Sequence, residues 1–192
     1  KGVGVGPSLE AADVEDNAYP DGKTAEEGVS WLRKLKQQGG PFFLAVGFFK
    51  PHLPFCAPKK YWDLYDQAYF GLSSEAVRTL NAPNVAYPDH LELGGYADVP
   101  KDERVSREQA RRLRHGYYAC VSFIDAQLGR LLDELDSLGL ADNTAFFVTS
   151  DHGNCLGIHD QVSKNNHYEE SMRVLMRTSR GSSAARPSRL MP

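Results

Sequence analysis

Hydrophobic and polar positions along the chain follow two rhythms, one helical and one of strands. Residues 24–40, "TAEEGVSWLRKLKQQGG", set Val29, Leu32 and Leu35 at helical spacing. Thr24 with Glu27 three places on reads as a capping box and Gly39-Gly40 as a stop, so the pattern predicts a helix from Ala25 to Gln38. "PFFLAVGFF", Pro41 to Phe49, is apolar at successive positions, as a strand covered on both faces must be. The same order then repeats. "SREQARRLRHGYYACVSFIDAQLGRLLDELDSLGL" spaces Ala110, Leu113, Tyr117, Val121, Ile124, Leu128, Leu131, Leu135 and Leu138 by threes and fours. That predicts a long amphipathic helix with Ser106 as its cap. "ADNT" turns the chain, and "AFFVTS" predicts a second buried strand.

Residues 66–104 keep no period and carry Pro, Gly, Asn and Asp throughout, the mark of a functional insertion or lid. Helix, strand, insertion, helix, strand points to an α/β sheet. Parallel strands would bring the motifs after them, "KPHLPF" and "SDHGNCLGIHDQVSK", to the carboxyl edge where open α/β sheets bind ligands. An antiparallel pair would part them.

Composition narrows the classes. With 192 residues, 41% hydrophobic and 24% charged, the chain has enough length for one domain with a core. A net charge of -3 gives no global pull towards nucleic acid or a membrane surface. No apolar run approaches the roughly 20 residues of a transmembrane helix, and the first residues lack a signal-peptide core. The chain opens on Lys1 rather than Met, so it reads as a piece of a longer protein. Cys56, Cys120 and Cys155 form neither a C-x-x-C pair nor a zinc spacing and read as core residues or bystanders. Residues 177–192 are rich in Arg and lack acids, so a disordered basic tail is expected there.

Asp151 and His152, directly after the second predicted strand and before Gly153, are placed to aim a carboxylate and an imidazole at one cation. The bland reading, an Asp capping a turn and a hydrogen-bonded His, stands beside it. Lys164, in "SKNNHYEES", is either a solvated surface lysine or a point charge on an anion. His159 and His167 are further candidates. Lys50 and His52 flank Pro51, which fixes the backbone between them. A histidine there can protonate a leaving oxygen, or K-P-H can be a plain turn.

Three segments in order, "PFFLAVGFFKPHLPF", "HGYYACVSFIDAQLGRLLDELDSLGLADNT" and "TSDHGNCLGIHDQVSKNNHYEESMRV", resemble the type I sulfatases, most closely the iduronate-2-sulfatase-like branch. The resemblance implies an alkaline-phosphatase-like α/β sheet with helices on both faces, incomplete in this chain. It implies a partial catalytic domain over residues 1–176, interrupted by the 66–104 insertion and followed by the 177–192 tail. The implied activity is sulfate ester hydrolysis, with a sulfated polysaccharide or glycosaminoglycan sugar as partner. It also implies a periplasmic, secreted or lysosomal-type setting. Carried over by position, Asp151 and His152 look like calcium (Ca2+) ligands. Lys164 and His52 look like sulfate contacts, His52 also assisting the leaving oxygen, and Lys50 looks like a contact to an acidic sugar. The family's nucleophile is a formylglycine made from Cys or Ser in C/S-x-P/A-x-R, and no such motif occurs here, so the chain alone is expected to be inactive. Relatives read like "LGEHGxWxK" where this chain has "LGIHDQVSK", with Ile158, Asp160 and Val162 as departures. The tail's "ARPSR" puts Ala185 where that motif needs Cys. A phosphoesterase of the same superfamily and a non-catalytic binder of sulfated glycans are the alternatives.

Overall fold

A computed structural model describes residues 6–71, 78–87, 92–100, 105–162 and 164–180. The elements are β1 (Leu9–Glu10), α1 (Pro20–Gln38), β2 (Phe55–Cys56), α2 (Lys59–Trp62), α3 (Arg107–Ser137), β3 (Ala145–Thr149), α4 (Glu169–Met172) and β4 (Met176–Arg180), joined by short 3-10 turns. No helix among the described residues is long and apolar enough to cross a membrane.

α3 forms where the pattern puts it. The Ser106 hydroxyl accepts the Gln109 N–H at 3.1 Å, capping the first turn. α1 starts earlier than predicted, with Pro20 at its first turn rather than Thr24 at its cap. Proline's fixed φ suits that position, and its missing N–H is not needed there. The early start puts Asp21 in the first turn, where it is 4% exposed and its carboxylate accepts the N–H groups of Phe49 (2.8 Å) and Lys50 (3.0 Å).

Two clusters make the core. Around the first half of α3, Leu113, Ala119, Cys120 and Phe123 pack with Phe55, Tyr61 and Leu93. Around the second half, Leu131 and Leu135 meet Leu32 of α1, alternate residues Phe42, Leu44, Val46 and Phe48, and Phe146 of β3. A Cβ on Gly28 would lie 2.9 Å from Leu131 and 3.3 Å from Val46, so glycine sets how closely α1 approaches both.

The predicted strand Pro41–Phe49 has the period-two exposure of an extended segment but forms no ladder among the described residues. Ladder bonds need an adjacent strand. Nor is it covered on both faces. Phe42, Leu44, Val46 and Phe48 lie against α1 and α3, while Phe43 is 92% exposed. β3 repeats this, with Phe146 packed and Phe147 67% exposed. α1 and α3 thus back one face of these segments, and a cleft of about 1880 Å³ opens between them, lined also by Tyr117, Val121, Ile124 and Leu128 of α3.

The expected tail begins too early in the sequence reading. Residues 176–180 form β4, antiparallel to β3 with Ala145 opposite Arg180 and Thr149 opposite Met176. Backbone pairing does not need apolar side chains, so composition alone mistook these residues for disorder. The tail's remaining residues, 181–192, lie outside the described ones. β1 and β2 form a separate parallel pair, Leu9 opposite Phe55 and Glu10 opposite Cys56.

Candidate active-site wall

The two motifs line one extended cleft, and their side chains His52 and Lys164 meet at one carboxylate, Glu92. Lys50, His52, Asp151, His152 and Lys164 all line the cleft.

The K-P-H turn is held by its own backbone. Asp21 grips Phe49 and Lys50 from α1, and the His52 N–H donates to the Phe49 carbonyl at 2.9 Å. The Lys50 ammonium donates to the carbonyls of His52 (2.9 Å) and Pro54 (2.7 Å). The structure therefore places Lys50 as a brace of this turn, with two of its three donors occupied. His52 Nδ1 lies 2.7 Å from the Leu53 carbonyl, which can only accept, so Nδ1 carries a proton and Nε2 faces outward.

His52 Nε2 meets Glu92 Oε1 at 3.2 Å, and Lys164 Nζ meets Glu92 Oε2 at 3.3 Å. One carboxylate thus bridges the two candidate sulfate contacts. Nδ1 faces a carbonyl and Nε2 a carboxylate oxygen, so a protonated His52 would donate to both and share the Glu92 carboxylate with the Lys164 ammonium. Glu92 comes from the 66–104 insertion, whose described parts are anchored by buried Phe70, Leu93 and Val99. Sequence reasoning missed it. One acid in an aperiodic stretch carries no local signal.

Asp151 and His152 stand at the end of β3. The Asp151 carboxylate accepts the His152 N–H at 3.0 Å through Oδ1 and faces the His152 ring through Oδ2, 3.7 Å from Nε2, with its side chain 88% exposed. His152 Nδ1 donates to the Gly153 carbonyl at 2.8 Å, leaving Nε2 with the lone pair a metal would use. Glycine at 153 is required, because a Cβ would sit 2.0 Å from the Glu170 carbonyl. These two residues offer two donors against the six to eight oxygens usual for calcium. No third His, Cys, Asp or Glu joins them among the described residues, so the pair is not by itself a metal site.

Between this pair and Lys164, Arg114 of α3 ties the loop down through the Leu156 carbonyl (2.8 and 3.2 Å). Asp160 has a left-handed φ of 57°, at the position where the family pattern carries glycine. Aspartate tolerates that region better than most residues, and Arg78 approaches its carboxylate at 3.4 Å. His159 stacks on Tyr168 at 4.1 Å and pairs with Glu170 at 3.2 Å, a packing role.

No cysteine has the character of a nucleophile. Burial pushes the thiols of Cys56, Cys120 and Cys155 up, the direction that keeps them protonated. "CAPKK", residues 56–60, comes nearest to C-x-P-x-R. There Cys56 is paired in β2, and Lys60 pairs with Asp16 at 2.7 Å.

The cleft thus sets His52 and Lys164 against one carboxylate, with a carboxylate-imidazole pair at the end of β3, on a mixed helix and sheet framework. Residues 6–185 match the Sulfatase family model, and the chain belongs to that family. It is 36% identical to iduronate 2-sulfatase of Mus musculus over 172 residues, 86% of this chain and 31% of that protein. The chain thus spans about a third of the length of that relative. Among solved structures it resembles a protein of Bacteroides fragilis described as a sulfatase, at TM-score 0.63 and 26% identity, over 84% of this chain and 31% of that one. It also resembles the phosphonate monoester hydrolase of Agrobacterium radiobacter, at TM-score 0.71 and 24% identity, over 92% of this chain and 36% of that one. The fold is the alkaline-phosphatase-like one, mixed helix and sheet and partial here.

Proposed function

We propose that this chain forms one wall of the active site of a longer sulfatase that hydrolyses sulfate esters, the class of substrate being a sulfated polysaccharide or glycosaminoglycan sugar. The observation that supports this most is the shared Glu92 carboxylate: His52 and Lys164 converge on an anion already. In the reaction Lys164 holds an ester oxygen as charge grows on it. His52, its Nε2 proton facing outward, gives that proton to the leaving oxygen, which a general acid must do when the departing group is an alcohol. Asp151 and His152 Nε2 would contribute to holding calcium with donors from elsewhere in the longer protein. When bound, such an ion neutralises charge on the ester. The nucleophile implied by the family, formylglycine, comes from a motif this chain does not contain.

The test uses the longer protein carrying this segment and an aryl sulfate. Lys164→Ala and His52→Ala are each expected to lose about 10²-fold or more in kcat. Turnover near the wild-type rate in either variant would reject its role. Phosphate ester turnover well above sulfate ester turnover would favour the phosphoesterase reading instead.

A further inference from the structure

We propose that Glu92 is a specificity-determining residue that sets the charge of the anion seat to suit a monoanionic sulfate ester over a dianionic phosphate ester. The proposal rests on the reading of His52 and Lys164 given above. Its basis is the bridge itself, with Oε1 at 3.2 Å from His52 Nε2 and Oε2 at 3.3 Å from Lys164 Nζ.

Lys164, joined by His52 where its ring is protonated, presents positive charge to a ligand. The Glu92 carboxylate between them offsets one such charge. Lys50, two residues from His52, keeps its charge but spends two of its three donors on the His52 and Pro54 carbonyls, and it is the same in every form compared below. A sulfate monoester carries one negative charge, whereas a phosphate monoester carries about 1.5 to 2 near pH 7. A ligand entering the seat displaces the carboxylate oxygens from the cations, since two oxygens of a sulfate can meet the same two donors. Glu92 stays close by on the insertion, anchored by the buried neighbouring Leu93. The repulsion it then exerts grows with the ligand's charge, so it penalises the dianion more. The Lys164 side chain is only 19% exposed, which limits the screening that would erase such a difference on an open surface.

The experiment uses the longer protein carrying this segment in three forms: wild type, Glu92→Gln, which keeps the shape and loses the charge, and Glu92→Asp, which keeps the charge. The first measurement needs no ligand. Carbethoxylation of His52, located by mass spectrometry, is expected to speed up by about two- to fivefold in Glu92→Gln, the factor expected of a partly exposed ion pair. An unchanged rate would overturn the pairing whatever the chain binds. The second measurement is the affinity for p-nitrophenyl sulfate and p-nitrophenyl phosphate at pH 7.5. The ratio of phosphate to sulfate affinity is expected to rise about tenfold in Glu92→Gln and to stay within about twofold in Glu92→Asp. A faster His52 reaction with an unchanged ratio would overturn the charge-matching role while leaving the proposed function standing. Failure of wild type and Glu92→Gln alike to bind either ester would overturn both.

Discussion

The two faces of the Pro41–Phe49 segment and of β3 are alike in sequence and unlike in the fold. On one face Phe42, Leu44, Val46, Phe48 and Phe146 meet α1 and α3. On the other, Phe43 and Phe147 point into open space beside the cleft. The site divides in the same way. The K-P-H turn is braced by Asp21 and Lys50 from within the chain, whereas Asp151 projects with little around it. The difference separates what this chain builds for itself from what its residues are only shaped to meet.

Breaking the packed side should cost most. Phe123 is fully buried in the first cluster, against Tyr61 at 5.4 Å and Tyr19 at 6.2 Å. Phe123→Ala is expected to lower stability by about 3 to 5 kcal/mol in urea unfolding. Next comes the brace of the turn. Asp21→Ala removes the acceptor of two backbone N–H groups, at about 1 to 3 kcal/mol for each that is left buried and unpaired. A loss of about 3 kcal/mol, with faster hydrogen exchange at Phe49 and Lys50, is expected. Unaltered exchange at those amides would show that the turn holds itself.

A smaller effect is expected in acid. Burial works against the Asp16 carboxylate, but hydrogen bonds from Lys60, Gln127 and Tyr61 together hold it below the usual aspartate range. Its folded pKa is below the unfolded one, so its stabilisation is present above about pH 4 and is lost as the pH falls through the folded value. Asp16→Asn should therefore flatten the acid limb of stability against pH below 4. An identical limb in both proteins would place the acid sensitivity elsewhere.

How much of this was legible depended on range. α3 and its Ser106 cap were, because spacing and cap lie within one stretch of chain. Pro41–Phe49 was legible as apolar and extended but not as unpaired, since a ladder depends on a neighbour that local sequence cannot supply. β4 was hidden for the converse reason, its pairing with β3 resting on backbone groups rather than on apolar side chains. Asp151, His152, His52 and Lys164 were singled out through strand-end motifs and family resemblance, and the structure sets all four along one cleft. Asp21 was hidden behind an apparent capping box three residues later. Glu92 was hidden because its meaning exists only where 52, 92 and 164 meet in space.

The smallest effect expected in this chain is also the one that sharpens the comparison most. Phe43→Ser and Phe147→Ser change side chains that are largely exposed, and exposed positions away from special features usually shift stability by no more than about 0.5 kcal/mol. In this chain both substitutions should leave the urea midpoint nearly unchanged. If the open face is shaped to meet further structure, the same substitutions in the longer protein bury a hydroxyl where an aromatic ring belongs, and about 3 kcal/mol or more should be lost. A neutral result in both proteins would mean that the apolar pattern of this face serves no packing role. A large loss already in this chain would mean that these rings are covered, through pairing between copies that a dependence of the midpoint on protein concentration would expose.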